Sequence, residues 1–385
     1  MRAGLRPEDE LCLLLCRGHL SAEEQLRARE LLAEVQNWSS FLKSAYTYEV
    51  LPPLFVNLHE LGMPGVPDSV LAELKSAYFR NALRNTLMSE ELARVLHLLG
   101  GAGVPVIPLK GVSLAESLYG DAALRICVDI DLLTPTEYIE QVFKLLISSG
   151  YRPDYTDPRL VRLAARYGKE IILTRQDAAG TGILELHCGM FWGGPLEREL
   201  LAKVWDSASP RDFHGAPAFA LTPEWEFLYL AVHAARHGGP SVKWLLDLER
   251  FCRRRNVDWQ KVHQKAVALG WEPAVQSSLA ACVALFGTPV DVVWNLPSSA
   301  VLVHLSNPVA QVSVSEIRFS LRLLKTPARR LKYLAIHLFI PTDADPKVVP
   351  LPSWLFFLYY VLRPVRVAFK TAGWLIRAWL PRGRH

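Results

Sequence analysis

The sequence is notable first for what it lacks. Its 385 residues contain no run of about 18 uninterrupted apolar residues, the length that a membrane-spanning helix needs. The apolar run near the N-terminus, in "ELCLLLCRG", is too short for a secretory signal, and no cleavage site follows it. The six cysteines contain no Cys-x-x-Cys pair, which argues against a disulfide framework. These absences predict a cytoplasmic protein.

Strong charge and the common nucleotide or hydrolase motifs are also missing. The net charge of +5 is mild, so it permits an anionic substrate but does not indicate nucleic-acid binding. There is no Walker A loop, no Gly-x-Gly-x-x-Gly and no Gly-x-Ser-x-Gly. A chain of this length, half of it apolar, can form about two or three globular domains.

Acidic residues are absent after Asp345. Residues 353–385 are rich in aromatic side chains and carry five arginines and one lysine, interrupted by Pro364. This composition suits a segment that lies at an anionic lipid surface, and it equally suits a basic helix that packs on its own domain. Peripheral contact with the inner face of a membrane is therefore one of two interpretations of this segment.

Hydrophobic periodicity divides the chain into four parts. Residues 1–103 show helical patterns, with Ser21 and Glu24 forming a predicted capping box and Gly100–Gly101 ending a long amphipathic helix. The next part alternates short strands and helices and includes a predicted hairpin, and a second helical part follows it. The predicted parts are a helical region at 1–103, an α/β unit at 104–215, a helical domain at 216–340, and a proline-rich linker with a basic aromatic segment at 341–385.

Two aspartates stand out in the α/β unit. In the predicted strand "CVDIDLLT", Asp129 and Asp131 project from one face, while Val128, Ile130 and Leu132 fill the other. Two carboxylates this close repel each other unless a cation lies between them. Hard divalent ions prefer such oxygen ligands, so the pair predicts a site for Mg²⁺ or Mn²⁺.

Residues on either side of the pair extend this hypothesis. Lys110 and Gly111 end one strand and open a helix, where backbone N–H groups and a cation can meet phosphate. Arg125 precedes the aspartates and can bind phosphate or pair with a nearby carboxylate. Glu185, in the alternating strand "ILELH", can supply a third carboxylate, and His187 shares its face of that strand.

Four residues are second-rank candidates. His233 and His237 form a His-x-x-x-His pair, but no His-Glu-x-x-His glutamate or third ligand accompanies them, so zinc is disfavoured. A structural pair, or a polar wall that faces nucleotide or acceptor, is the preferred interpretation. Asp247 is expected to pair with a nearby cation. His187 is either near the site or a hydrogen-bonded core histidine.

The segment "IPLKGVSLAESLYGDAALRICVDIDLL", followed by "LELHCGMFW" and "HAARHGGPSVKWLLDL", resembles the DNA polymerase beta-type nucleotidyltransferase superfamily. Within it, these motifs are most similar to a bacterial group known only as nucleotidyltransferase family proteins. The resemblance runs from about residue 40 to about residue 290. It implies an α+β fold, with a small mixed β-sheet nucleotidyltransferase core between helical N-terminal and C-terminal parts.

The resemblance also implies an activity and assigns residues to it. Such proteins transfer a nucleoside monophosphate from an NTP to an acceptor with the help of Mg²⁺. Asp129, Asp131 and Glu185 correspond to the catalytic and metal-binding acids. Lys110, Gly111 and Ser113 correspond to the phosphate-binding turn, although Lys-Gly-Val-Ser replaces the usual Gly-Gly or Gly-Ser and lies further upstream.

The leading hypothesis is therefore a Mg-dependent, NTP-binding nucleotidyltransferase, with ATP among its candidate nucleotides and an unidentified acceptor. One alternative is a catalytically silent nucleotide-binding protein that keeps the fold. The other is a membrane-associated accessory protein for surface-polysaccharide or peptide assembly, docked through residues 353–385. The sequence leaves the acceptor, the base preference and the oligomeric state open.

Overall fold

The computed structural model describes residues 5–153, 157–177, 180–190, 197–236, 241–254, 256–290, 294, 296 and 312–379. The chain divides into two compact units, residues 1–131 with 207–323 and residues 132–206 with 324–385. The boundaries drawn from the sequence at residues 103, 215 and 340 stay predictions.

Helices form the N-terminal part of the first unit, as the periodicity predicts. They are α1 (Pro7–Leu15), α2 (Ala22–Glu34), α3 (Trp38–Tyr48), α4 (Leu51–Glu60) and α5 (Asp68–Gly101). The predicted capping box is present, because the Glu24 backbone N–H donates to Ser21 Oγ and the Ser21 N–H donates to the Glu24 carboxylate. These bonds satisfy donors that the start of α2 would otherwise leave open.

A five-stranded sheet of order β1-β2-β5-β4-β3 follows. Its strands are β1 (Ile107–Pro108), β2 (Ile130–Leu133), β3 (Arg152–Pro153), β4 (Glu170–Asp177) and β5 (Gly180–His187). Strands β4 and β5 form the predicted antiparallel hairpin, in which Glu170 lies opposite His187 and Ile172 opposite Glu185. The helices between the strands are α6 (Gly111–Leu114), continued by a π-helical turn at Ala115–Tyr119, then α7 (Ile139–Ser148) and α8 (Pro158–Tyr167).

Strand β2 is shorter than the sequence suggests. It begins at Ile130, so Asp129 lies immediately before it, and all four of its residues are buried. The expectation that Val128 fills the core face is wrong, because 52% of this residue is exposed. Val128 lies before the regular strand begins, and side chains outside a strand need not alternate between two faces.

The rest of the first unit is a small hairpin and a group of helices. A helix of the second unit, α9 (Glu197–Ser207), precedes the antiparallel hairpin of β6 (Ser209–Phe213) and β7 (Ala216–Ala220), which the sequence did not predict. The helices that follow are α10 (Pro223–Arg236), α11 (Val242–Arg254), α12 (Trp259–Leu269), α13 (Glu272–Phe286) and α14 (Val312–Leu323). Their core includes the buried ring of Phe227, whose centroid lies 5.7 Å from that of Phe251 and 5.0 Å from that of Trp259.

Three helices close the described chain in the second unit. They are α15 (Pro327–Phe339), α16 (Ala344–Val348) and α17 (Tyr359–Trp379), with a 3₁₀ turn at Ser353–Leu358 just before the last. None of the helices in the described residues has both the length and the hydropathy to cross a membrane. The predicted α+β class, with a small mixed sheet and helical parts on either side in sequence, is confirmed.

Candidate active site

The two aspartates occupy an environment that opposes their shared negative charge. Burial raises the pKa of Asp129 above its usual range, and the carboxylate of Asp131 raises it further. The positive charges of Lys110, Arg125 and Lys243 act in the opposite direction. The repulsion expected from the sequence is therefore present, and three cationic side chains reduce it.

Lys110 contacts the aspartate pair directly. Its Nζ lies 3.1 Å from Asp131 Oδ1, and both side chains are largely buried. The backbone N–H of Leu109 donates to the Asp131 carbonyl at 3.1 Å, which holds the turn beside β2. Lys110 thus lies next to the carboxylates, as a phosphate-binding lysine must, and its contact with phosphate stays a prediction.

Position 111 requires a glycine, both for its backbone conformation and for the space available to a side chain. Its φ of +64° lies in the left-handed region, and a Cβ built there would be 3.0 Å from the backbone oxygen of Asp129. The turn can approach Asp129 this closely only because the side chain is absent. Two residues on, the buried Ser113 Oγ accepts a hydrogen bond from Arg211 Nη1 at 3.0 Å.

Glu185 and His187 share one face of β5, as the strand period predicts, while Leu184 and Leu186 are buried. His187 Nε2 lies 3.7 Å from Glu185 Oε2. On the neighbouring strand, Glu170 Oε1 lies 3.6 Å from His187 Nδ1. The imidazole is thus placed between two carboxylates, of which the sequence indicated only one.

Asp131, Glu185 and His187 form a group that could hold a metal ion. One ligand atom from each residue can be chosen so that all three atoms lie within 4.8 Å of one another. Carboxylate oxygens suit Mg²⁺ and Mn²⁺, and an imidazole nitrogen suits Mn²⁺ and other transition metals. The donor set therefore fits a divalent cation. Asp129 is not one of the three.

Arg125 and Asp247 form a buried ion pair. The guanidinium donates from Nε to Asp247 Oδ1 and from Nη2 to Oδ2, both at 2.9 Å, and Tyr119 donates its hydroxyl to Oδ1 at 2.6 Å. Burial lowers the pKa of Arg125, but the Asp247 carboxylate outweighs it and the net pKa is raised. Burial and the same carboxylate raise the pKa of Tyr119, which keeps its hydroxyl a donor. The cation expected near Asp247 is thus Arg125.

Two asparagines of α5 fix the segment that leads to the aspartates. The Asn81 amide donates to the carbonyls of Ala123 and Arg125 at 2.7 and 3.0 Å. The Asn85 amide donates to those of Ala122 and Arg125 at 2.6 and 2.8 Å. Because both asparagines are buried, these bonds are costly to lose and they define the path of the backbone before Asp129.

Of the two histidines in the predicted pair, only His233 lies in the described part of the chain, in α10. The His233 ring stacks on Tyr229 at 5.9 Å and meets the Trp244 ring edge-on at 4.9 Å. His237 lies outside the described residues. The role of this pair as a structural element or as a wall of the site stays a prediction.

Sequence patterns did not indicate four residues near the site, namely Lys243, Tyr119, Asn81 and Asn85. Lys243 pairs with Glu49 and also acts on Asp129, yet in "SVKWLLDL" it looks like an ordinary lysine near the start of a helix. The two asparagines lie four residues apart on α5, at positions that the helical period assigns to one buried face. Buried amides at that spacing were the signal that could have revealed them.

Comparison with known proteins identifies the family. A model of the family described as uncharacterised nucleotidyltransferases matches residues 34–287. The protein belongs to this family, since the match covers well over half of the chain. A comparison with curated proteins found no match.

One solved structure shows a distant similarity. It is described as an antigenic nucleotidyltransferase-like protein from Paracoccidioides brasiliensis, and it is 14% identical over 52% of this chain and 96% of its own. The TM-score is 0.32, a level at which the two folds cannot be equated.

Proposed function

We propose that the protein is a divalent-metal-dependent enzyme that transfers a nucleoside monophosphate from an NTP to an acceptor. The observation that carries the proposal is the group of ligand atoms from Asp131, Glu185 and His187, in a chain of a nucleotidyltransferase family. The other aspartate of the motif, Asp129, lies two residues before Asp131, and after burial the charge of Asp131 is the main cause that raises its pKa.

Each residue has a role in this proposal. A Mg²⁺ or Mn²⁺ ion, when bound, would supply positive charge to the triphosphate. Asp129, Asp131 and Glu185 would hold this ion, and Glu185 would also accept the proton of the acceptor hydroxyl as its oxygen bonds to the α-phosphorus of the NTP and pyrophosphate leaves. Lys110, which pairs with Asp131 in the structure, stabilises charge on the phosphates, and Gly111 and Ser113 shape the turn beside them. Arg125 is held by Asp247 and contributes its positive field.

Nucleotide-dependent stabilisation tests the site. We expect an NTP with Mg²⁺ or Mn²⁺ to raise the melting temperature of the wild type, as ligand linkage requires. The variant Asp129→Ala/Asp131→Ala should lose this response. Glu170→Gln is the matched control, because Glu170 contacts His187 but is not part of the ligand group. A response that is absent in the wild type, or unchanged in the double variant, would contradict the proposal.

A catalytically silent nucleotide-binding protein is the alternative function. It would show the same stabilisation without forming a product. Mass spectrometry after incubation with NTPs and a cell extract separates the two, since transfer adds a nucleoside monophosphate to an acceptor. Binding with no such product would favour the silent protein or the accessory factor over the enzyme.

The finer assignments are part of the same proposal. We propose a cytoplasmic enzyme of the bacterial group that contacts the inner face of a membrane peripherally through residues 353–385, with ATP among its nucleotides and with nucleic acid disfavoured as a partner. The acceptor is open between a small molecule, a sugar or lipid intermediate, a protein and RNA.

A further inference from the structure

The C-terminal helix α17 turns an apolar stripe outward. Five large side chains form this outer stripe at spacings of three or four residues, and each is at least half exposed. The exposed fractions are 75% for Trp354, 60% for Phe357, 65% for Val361, 50% for Val365 and 74% for Phe369. At this spacing the side chains lie along one side of the 3₁₀ turn and helix.

The opposite side of the helix is fixed by polar contacts. Arg363 donates to Asp345 Oδ2 at 2.9 Å and Arg366 to Asp345 Oδ1 at 2.7 Å. Arg363 also donates to the carbonyl of His337 at 3.1 Å, which ties α17 to α15. The buried hydroxyl of Tyr359 donates to Val349 O at 2.8 Å. The rotation of α17 about its axis is thus specified.

This arrangement reverses the usual distribution of a surface helix, which turns its apolar side inward and its charges to solvent. Two arginines face inward and a row of phenylalanine, valine and tryptophan faces outward. An exposed apolar surface of this extent marks an interaction site more often than a solvated face. The contacts of Asp345 maintain this orientation of α17, because they hold the two arginines away from solvent.

The charge of the region identifies the partner. No acidic residue follows Asp345, and the end of the chain adds Lys370, Arg377, Arg382 and Arg384 to the sequence. A second copy of the same stripe would bring like charges together, whereas an anionic lipid surface offers opposite charge and an apolar interior at once. We propose that the outer stripe inserts into the interface of an anionic membrane.

Vesicle binding tests this inference with the full chain. We expect co-sedimentation with vesicles of phosphatidylcholine and phosphatidylglycerol, much weaker binding to phosphatidylcholine alone, and loss of binding as salt is added. The variant Trp354→Ser/Phe357→Ser/Phe369→Ser should lose at least about tenfold in partition coefficient. The variant Lys370→Gln/Arg377→Gln should lose about fivefold per charge on anionic vesicles.

A second exposed pair supplies the matched control. Phe79 and Leu83 of α5 lie four residues apart and are 55% and 63% exposed, but Arg80, next to Phe79, pairs with Glu73 on the same helix, so charges of both signs lie close by. Phe79→Ser/Leu83→Ser should bind vesicles as the wild type does. Circular dichroism melts establish that all the variants are folded.

Three results would overturn the inference. The first is a wild type that does not bind anionic vesicles, and the second is equal binding by wild type and stripe variant. The third is a wild-type dimer, seen by light scattering, that the stripe variant converts to monomer without any effect of lipid. That outcome would make the stripe a contact between copies. None of these results depends on nucleotide transfer.

Discussion

Two buried aspartates in different units of the chain bind arginine in different ways. Asp247 of α11 faces a single guanidinium, that of Arg125, and both side chains are almost fully buried. Asp345 of α16 faces two, those of Arg363 and Arg366, and the second side chain keeps 22% of its surface exposed. The aspartate–arginine network is thus closed to solvent in the first unit and partly open to solvent in the second.

The pKa values of the arginines reflect this difference. The pKa of Arg125 is raised overall, because the Asp247 carboxylate outweighs the effect of burial. The pKa of Arg363 is lowered, because burial and the charge of Arg366 outweigh the shared Asp345. One carboxylate balances the charge of one guanidinium but not that of two. The C-terminal network therefore carries surplus positive charge.

Asp247→Asn should have the largest effect. It leaves the buried Arg125 without a counter-charge, which costs about 3 to 5 kcal/mol of the free energy of unfolding. It should also abolish stabilisation by NTP and metal, because Arg125 lies on the segment that leads to Asp129. Chemical denaturation and nucleotide-dependent melting measure the two effects.

Two further variants separate the effect of the buried charges on stability from the effect of the network on the nucleotide response. Tyr119→Phe removes one hydroxyl donor to Asp247 and should cost less, about 2 kcal/mol. Arg125→Met/Asp247→Leu replaces the pair by apolar groups and should recover much of the stability without the nucleotide response. If Asp247→Asn costs less than about 1 kcal/mol, the network does not fix this segment.

Asp345→Asn should have the next largest effect, about 2 to 3 kcal/mol. The loss is smaller than at Asp247 because water can solvate part of Arg366. Hydrogen exchange should increase selectively in α17, whose rotation Asp345 fixes. Glu140→Gln is the control, since this glutamate forms an exposed pair with Arg162 and should change stability by less than about 0.5 kcal/mol. If Asp345→Asn lowered the free energy of unfolding more than Asp247→Asn does, the partly open network would be the more stabilising of the two.

Gly111→Ala probes the turn beside Asp129 and should cost about 1 to 2 kcal/mol. Its left-handed φ and the 3.0 Å approach to the Asp129 backbone oxygen both act against a side chain. Gly120→Ala is matched to it, because Gly120 has a φ of +78° but its Cβ would approach only the flexible end of Arg254, at 3.6 Å. A nucleotide response lost in the first variant and kept in the second would locate the effect at Asp129. Equal behaviour would show that backbone strain alone is responsible.

The features that the sequence predicted depend on short-range chemistry. The capping box of Ser21 and Glu24, the Gly100–Gly101 end of α5 and the β4–β5 hairpin follow from residues close in the chain. The β6–β7 hairpin did not emerge, because prolines and charged residues in "SPRDFHGAPAFA" obscure the alternation of a strand. Its turn at His214 and Gly215 is visible only once both residues are seen with positive φ.

The residues of the candidate site also differ in whether local sequence patterns indicate them. The spacing of Asp129 and Asp131 and the period of "ILELH" indicated the acids, and Lys110 lies close by along the chain. Tyr119, Asn85 and Lys243 act through contacts between residues far apart in sequence. Nothing in their local patterns distinguishes them from ordinary helical residues. Sequence periodicity therefore indicates candidate ligands on or beside strands more readily than the residues that position those strands.

The pH dependence of stability gives the finest test of the surplus charge around Asp345. Burial and the charge of Arg363 lower the pKa of Lys169 to about 7, against an ordinary lysine value of 10.5. Between these two values the unfolded chain binds a proton that the folded chain does not. Stability should therefore rise with pH, by about 1 kcal/mol between roughly pH 6 and pH 8. Below the folded pKa both states are protonated and the full penalty of burying the charge remains.

Lys169→Met should remove this rise and stabilise the protein most at the acidic end of the range. Lys261→Met is the control, because Lys261 is exposed and its pKa is raised by hydrogen bonding and attraction to Asp258, so it does not titrate in this range. Melting curves at each pH measure the three slopes. A wild type whose slope matches that of Lys169→Met would mean that Asp345 neutralises the cations around it as completely as Asp247 neutralises Arg125. The contrast between the two networks would then lie in their solvent exposure alone.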